Sequence, residues 1–198
     1  MRHTFKIEFL PAKEFLVIKG VGQLGDPAAG FTPDPEKDAW QIIRRALADG
    51  SVERLKKAAG SETVFALFCN TCVWNEADKC YDCGCDLACE NLSGAAAGGG
   101  FDIVSLRASE YAVYDCEFAD GETALENAHE KPDELFWGKD GSMKDCWLAD
   151  NPYVCAIDDK ENWKNGGAAS IEQYTPFDPD VKEFSFKVRY PIVRKEKI

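Results

Sequence analysis

Residues 5–17, FKIEFLPAKEFLV, return as residues 101–113, FDIVSLRASEYAV, with an offset of 96 positions and no gap. Phe15 becomes the related Tyr111, and six other pairs are identical: Phe5/Phe101, Ile7/Ile103, Leu10/Leu106, Ala12/Ala108, Glu14/Glu110 and Val17/Val113. Because the offset is about half of the 198-residue chain, it predicts a duplicated unit and not two unrelated domains.

The sequence pattern of each copy predicts five elements in the order strand, strand, helix, strand, strand. The first two strands flank a tight connection, at 11–13 in one copy and at 107–109 in the other. Capping residues and apolar spacing predict helices at 32–55 (interrupted at 50–51), 122–137 and 143–149, and strands at 63–69, 81–89, 171–174 and 184–192. The glycine-rich stretch 93–100 lies between the copies. The order predicts a single α+β domain with repeat 1 at 1–93, a linker at 94–100 and repeat 2 at 101–198.

Composition argues against several classes of function. The net charge is -12, from 23 Lys+Arg and 35 Asp+Glu, so the surface repels phosphate backbones and disfavours direct nucleic-acid binding. No stretch approaches the ~20 apolar residues of a membrane span, and the start MRHTFKIEFL lacks the apolar core of a secretory signal. We therefore expect a cytoplasmic protein without membrane contact, in a compartment where stable disulfides are rare.

One motif resembles a cofactor site. Residues 20–25, GVGQLG, match the glycine pattern of dinucleotide-binding proteins. Asp26-Pro27 follow at once, so no helix can begin in register with the last glycine. We expect no cofactor.

The nine cysteines concentrate around residues 79–91, KCYDCGCDLACEN. Two CxxC pairs, Cys69/Cys72 and Cys80/Cys83, have the spacing of a zinc site. The alternation of this stretch favours a β-strand instead, because five residues of one parity are apolar or cysteine: Tyr81, Cys83, Cys85, Leu87 and Cys89. We favour structural cysteines and no metal, with a zinc or iron–sulfur site and redox pairing as the open alternatives.

A carboxylate lies among aromatic residues near the end of the chain. Glu172 and Tyr174 share one face of a predicted strand, and the last strand alternates Phe184, Phe186, Val188 and Tyr190 with polar residues. A buried glutamate beside aromatic rings suits the binding of lipophilic cations or proton transfer. The alternative is a solvent-facing Glu172 paired with Lys187 or Arg189.

Several motifs resemble one known family in their order. They are LPA…FLVIKGVG at 10–22, LRASEYAVYDC at 106–116, KCYDCGC at 79–85, IEQY at 171–174 and RYPIV at 189–193. Together they resemble the GyrI-like domain, also called the effector-binding domain of bacterial AraC- and MerR-type regulators. The resemblance covers nearly the whole chain.

The resemblance implies a fold and a function. The fold would be a duplicated βαββ unit with pseudo-two-fold symmetry, antiparallel sheets, helices on one side and a groove between the halves. Glu172 would be the acidic residue of the groove, and four aromatic residues would line it: Tyr174, Tyr81, Phe68 and Phe186. Trp137, in the helical region of the second half, is a further candidate for the groove, with packing in the core as the alternative. The implied function is a stand-alone binding or sensor protein for a small hydrophobic, often cationic, compound.

Relatives also suggest alternatives. Some are hydrolases of cyclopropane-bearing compounds, in which case Glu172 would be the catalytic acid/base. Others inhibit DNA gyrase, which implies a protein partner. The N-terminus shows no helix-turn-helix segment, so we expect no direct binding to DNA.

Overall fold

The structure of the chain is a computed structural model. It describes residues 2–24, 36, 39–68, 73–77, 80–84, 86–119, 121, 123, 125, 128, 134–135, 153–155 and 169–194. The elements in these residues are β1 (Arg2–Leu10), β2 (Lys13–Ile18), β3 (Val21–Leu24), α1 (Ala39–Ala48), α2 (Ser51–Ala59), β4 (Phe65–Phe68), β5 (Val73–Asn75), β6 (Cys80–Gly84), β7 (Asp86–Glu90), β8 (Asp102–Leu106), β9 (Ser109–Phe118), β10 (Tyr153–Cys155), β11 (Ser170–Thr175) and β12 (Phe184–Arg194).

The chain divides into two compact units. Residues 1–12 and 107–198 form unit 1, and residues 13–106 form unit 2. The antiparallel sheet of unit 1 has the strand order β1-β9-β12-β11, and β10 pairs with the last residues of β12. Unit 2 contains an antiparallel sheet of order β8-β2-β7-β4 and a second, three-stranded sheet of order β3-β6-β5. The predicted α+β class with antiparallel sheets is therefore confirmed.

The first strand of each sequence copy lies beside the second strand of the other copy. Residue pairs between β1 and β9 correspond to residue pairs between β8 and β2 when 96 is added to the first number and subtracted from the second. The pair Lys6–Val113, for example, corresponds to the pair Asp102–Val17. The short connections at 11–12 and 107–108 lead from one unit to the other. They do not close hairpins, because β2 is paired with β7 and β8 on its two edges, and β9 is paired with β1 and β12. The boundaries of the repeats and their two-fold relation stay predictions.

The predicted strand 81–89 is two strands in different sheets. β6 ends at Gly84 in the three-stranded sheet, and β7 begins at Asp86 in the four-stranded sheet. The predicted alternation would direct the residues of the other parity, Asp86 among them, towards solvent, but Asp86 is 3% exposed. Its carboxylate accepts hydrogen bonds from Lys19 Nζ at 2.7 Å and from the Gly20 N–H at 3.2 Å. These bonds hold the point where β2 ends, so the burial of Asp86 has a structural cause.

The helices of unit 2 follow the predicted interruption. Gly50 separates α1 from α2 with φ of 75°, in the left-handed region where glycine costs least. The buried face of α2 packs on β2 and β7 through Val52, Leu55 and Ala59. Residues 32–35 and most of the helices predicted at 122–137 and 143–149 lie outside the described residues. In the part of the chain that is described, every helix is too short or too polar to cross a membrane.

Candidate functional site

Strands β11, β12 and β9 of unit 1 bring Glu172 and the aromatic residues to one side of the sheet. Glu172 lies opposite Val188 of β12, and Val188 lies opposite Tyr114 of β9. Tyr174 lies opposite Phe186 in the next row of the same parity. Since directly opposite residues in antiparallel strands project from the same face, these five side chains share one face. We call it the Glu172 face.

Glu172 is buried beside aromatic rings. Glu172 is 7% exposed, and its Oε2 accepts a hydrogen bond from the Tyr174 hydroxyl. The Tyr174 ring stacks on Phe186 with centroids 4.8 Å apart and an interplanar angle of 18°. Phe177 adds a tilted ring at 6.3 Å from Tyr174. The Glu172 carboxyl group thus accepts a hydrogen bond from a neutral hydroxyl within an apolar layer.

Two cations of β12, Lys187 and Arg189, lie on the opposite face of the sheet. Lys187 Nζ forms an ion pair with Asp115 Oδ2 at 2.7 Å, and Arg189 Nη2 donates to Gln173 Oε1 at 3.2 Å. Burial lowers the pKa of the Arg189 guanidinium, while the nearby Glu8 and Asp115 carboxylates raise it. The alternative of a solvent-facing Glu172 paired with Lys187 or Arg189 does not agree with the structure. The reason is strand parity, since residues 187 and 189 alternate with the residue opposite Glu172.

The register of the two sheets identifies the position that corresponds to Glu172 in unit 2. The row Ile171–Arg189–Val113–Lys6 of unit 1 corresponds to the row Phe65–Ala88–Val17–Asp102 of unit 2. One residue further along β11 and β4, Glu172 corresponds to Ala66, and Tyr174 corresponds to Phe68. At this position only one of the two sheets carries an acid, so the two sheets are not equivalent as binding surfaces.

The structure unites three of the six predicted site residues, namely Glu172, Tyr174 and Phe186. Phe68 and Tyr81 lie on β4 and β6, but their side chains are outside the described part, as is Trp137. The role of all six residues in a binding site stays a prediction. Sequence reasoning missed Tyr114, whose hydroxyl donates to the Leu135 carbonyl at 2.9 Å, as well as Val188 and Phe177. The parity of β9 was the signal that could have found Tyr114.

Two cysteines are described with their side chains. Cys89 and Cys116 are free thiols at 0% exposure. Burial raises the pKa of Cys89 to about 12 and the pKa of Cys116 to about 11. These two thiols therefore act as small apolar core residues, which agrees with the structural interpretation of Cys89.

The metal alternative concerns other cysteines. Among the residues whose side chains are described, no three His, Cys, Asp or Glu residues come together as a metal site. Cys69 and Cys72 lie outside the described residues, and Cys80 and Cys83 lie on β6 with only their backbone described. A cysteine-ligated metal at these four residues stays a prediction.

No protein-family model and no curated protein sequence matches the chain. Solved structures match its fold. SAV2435 bound to tetraphenylphosphonium is 12% identical with a TM-score of 0.57, over 96% of this chain and 94% of that one. A putative bacterial transcription regulation protein from Staphylococcus aureus MU50 is 14% identical with a TM-score of 0.54, over 96% and 97% of the two chains. An integron cassette protein from the mobile metagenome of Vibrio cholerae is 10% identical with a TM-score of 0.50, over 96% and 95%.

The chain has their fold. The α+β fold with antiparallel sheets that the resemblance to GyrI-like effector-binding domains implies is thereby confirmed, whereas the pseudo-two-fold duplication and the groove between the halves stay predictions. At 10–14% identity the likeness is one of architecture, and the function has to be argued from the side chains of the Glu172 face.

Proposed function

We propose that the chain binds a small hydrophobic cation on the Glu172 face and serves as a sensor or sequestering protein for such compounds. The observation that carries the proposal is the buried carboxylate of Glu172 beside the stacked rings of Tyr174 and Phe186. A fold shared with a protein whose structure contains tetraphenylphosphonium supports the same class of ligand.

The chemistry of the face selects for charge and for low hydration together. Moving a carboxylate out of water is costly unless a cation compensates it. A small, strongly hydrated cation would lose its own hydration on entering this layer, whereas a cation with its charge spread over aryl groups loses little. The stacked rings of Tyr174 and Phe186 keep the surroundings of the carboxylate apolar.

Tyr174 prepares the carboxylate for binding. Its hydroxyl donates a hydrogen bond to one oxygen of Glu172, the residue is 4% exposed, and its ring is fixed by the stack with Phe186. A side chain that is held in place before binding loses little conformational entropy when the ligand arrives. The hydroxyl is neutral, so it orients the negative charge without cancelling it.

Isothermal titration calorimetry with tetraphenylphosphonium tests the proposal. We expect saturable binding that weakens at least tenfold in Glu172→Gln, since a change of 1.4 kcal/mol is a factor of ten in affinity. Glu117→Gln is the matched control, because it removes one negative charge from the same sheet at a side chain that is 56% exposed. Triphenylphosphine oxide, a neutral compound of similar shape, should bind the wild type and Glu172→Gln alike.

Two results would contradict the proposal. One is the absence of saturable binding across a panel of lipophilic cations, and the other is equal affinity of the wild type and Glu172→Gln. Turnover of a cyclopropane-bearing compound that disappears in Glu172→Gln would favour the hydrolase alternative instead.

A further inference from the structure

The strand β1 presents an exposed apolar stripe at the edge of its sheet. Phe5, Ile7 and Phe9 alternate along β1 on one face and are 40%, 38% and 67% exposed. In the described sheet of unit 1, β1 comes first in the strand order and pairs with β9. A long edge strand with exposed apolar residues is a template for pairing with another strand.

The other face of β1 carries charges of both signs. Lys6 and Glu8 form an ion pair within the strand, and their side chains are 55% and 30% exposed. An antiparallel strand related by a two-fold axis at Ile7 would place Lys6 opposite the partner's Glu8 and Glu8 opposite the partner's Lys6. It would also place Phe5 opposite the partner's Phe9, and Ile7 opposite its own copy. In this arrangement each charged side chain lies opposite one of the other sign, and each apolar side chain lies opposite another apolar one.

We propose that two copies of the chain associate through β1, antiparallel and with the two-fold axis at Ile7. The interface joins a row of apolar side chains on the face shared with Glu172 to two Lys6–Glu8 pairs on the other face. Such a contact uses the same strand on both copies and closes after two, as a cyclic dimer requires.

The sequence of β1 selects this register over its neighbours. A two-fold axis at Lys6 would place two lysines opposite each other, and an axis at Glu8 would do the same with two glutamates. The corresponding strand β8 is a poorer partner for itself, because it contains Asp102 but no cation. Its Ser105 stands at the position of Phe9, so the full apolar stripe belongs to β1 alone.

Sedimentation velocity of the full chain over a range of concentrations measures the association. We expect Lys6→Glu and Glu8→Lys each to raise the dimer dissociation constant about tenfold or more, since each single change creates two like-charge pairs. The double variant K6E/E8K should restore dimerisation, because it exchanges the charges without changing the register. Lys57→Glu, at an exposed position of α2, is the charge control and should have no effect.

The apolar half of the contact has its own pair of variants. Phe9→Ser should weaken the dimer about tenfold, whereas Leu92→Ser should leave it unchanged, since Leu92 is as exposed at 66% but lies in a turn of unit 2. Thermal unfolding of each variant distinguishes loss of the dimer from loss of the fold.

Three results would overturn the proposal. The first is a monomer at every concentration up to the solubility limit. The second is a dimer that K6E and F9S leave unchanged, or one that K6E/E8K fails to restore. The third is a series of species that grow with concentration, which would indicate β1 against β8 of another copy and an open assembly.

Discussion

Replacing Asp86 with Asn should destabilise the protein more than replacing Asp115 with Asn. The two aspartates belong to ion pairs at matched places in the two sheets. Asp115 of β9 lies at the position that corresponds to Lys19, 96 residues earlier in the chain. Lys187, the partner of Asp115, lies at the position that corresponds to Asp86, the partner of Lys19. Both pairs have an N···O distance of 2.7 Å, so they differ in their burial and in the hydrogen bond that Asp86 also accepts from the Gly20 N–H.

The exposed fractions set the magnitude. The Asp86 side chain is 4% exposed, whereas the side chains of Asp115 and Lys187 are 35% and 29% exposed. Asp86 also accepts the Gly20 N–H, so Asp86→Asn weakens two charge-assisted hydrogen bonds of roughly 1.5 kcal/mol each. Lys19 is 53% exposed, and solvent screening reduces its share, which leaves about 2 kcal/mol in total. The more solvated pair at Asp115 should cost about 0.5 kcal/mol.

Urea unfolding followed by circular dichroism measures both variants on one chain. A double-mutant cycle of Asp86→Asn with Lys19→Met should give a coupling of about 1 kcal/mol, because the two groups are in direct contact. Equal losses of stability in Asp86→Asn and Asp115→Asn, or a larger loss in Asp115→Asn, would refute the reasoning from burial.

Three further predictions follow from the same contacts. Tyr174→Phe should lower the affinity for tetraphenylphosphonium about three- to tenfold with the fold intact, because it removes the hydroxyl donor of Glu172 and keeps the stacked ring; calorimetry and thermal unfolding check both parts. The free energy of unfolding should fall as the pH rises from 9.0 towards about 12, because unfolding releases the Cys89 thiol from the burial that raises its pKa; Cys89→Ala should reduce this slope in urea titrations. The double variant D115K/K187D should unfold with nearly wild-type stability but refold with a larger misfolded fraction, measured by the recovered calorimetric signal, whereas recovery equal to the wild type would contradict it.

The sequence predicts the strands of this chain better than their partners. The copy of residues 5–17 at 101–113 is visible because apolar positions recur at one offset, and these positions become β1, β2, β8 and β9. The sequence does not show that β1 pairs with β9 and β8 with β2. Alternation indicates the face on which a residue lies, but not which strand lies beside its own. A connection of two residues such as Pro11-Ala12 reads as a hairpin until it is known that β2 is paired on both edges.

The same limit applies to the candidate site, where the sequence predicts a shared face but not the neighbouring strand. Spacing alone could place Glu172 and Tyr174 on one face, because residues two apart on a strand always share a face. It could not decide between solvent and the interior, since Lys187 and Arg189 lie as near in sequence as Phe186 and Val188. The register of β11 against β12 decides it, because it places Val188 and not a cation opposite Glu172. A register depends on the whole sheet and is not written in any one segment.

The two ion pairs bear on how a chain with two similar sheets avoids pairing its own strands wrongly. The sheets share one register, so β2 could pair with β12, and β9 with β7, with the apolar rows still matched. Such cross-pairing would place Lys19 opposite Lys187 and Asp115 opposite Asp86, while correct pairing places a lysine opposite an aspartate in both units. Like charges directly opposite each other destabilise a sheet, and more so at a buried position such as that of Asp86. In unit 2 the lysine follows β2 and the aspartate lies on β7, whereas in unit 1 the aspartate lies on β9 and the lysine on β12. This reversal discriminates between strands that the hydrophobic pattern alone would treat as equivalent.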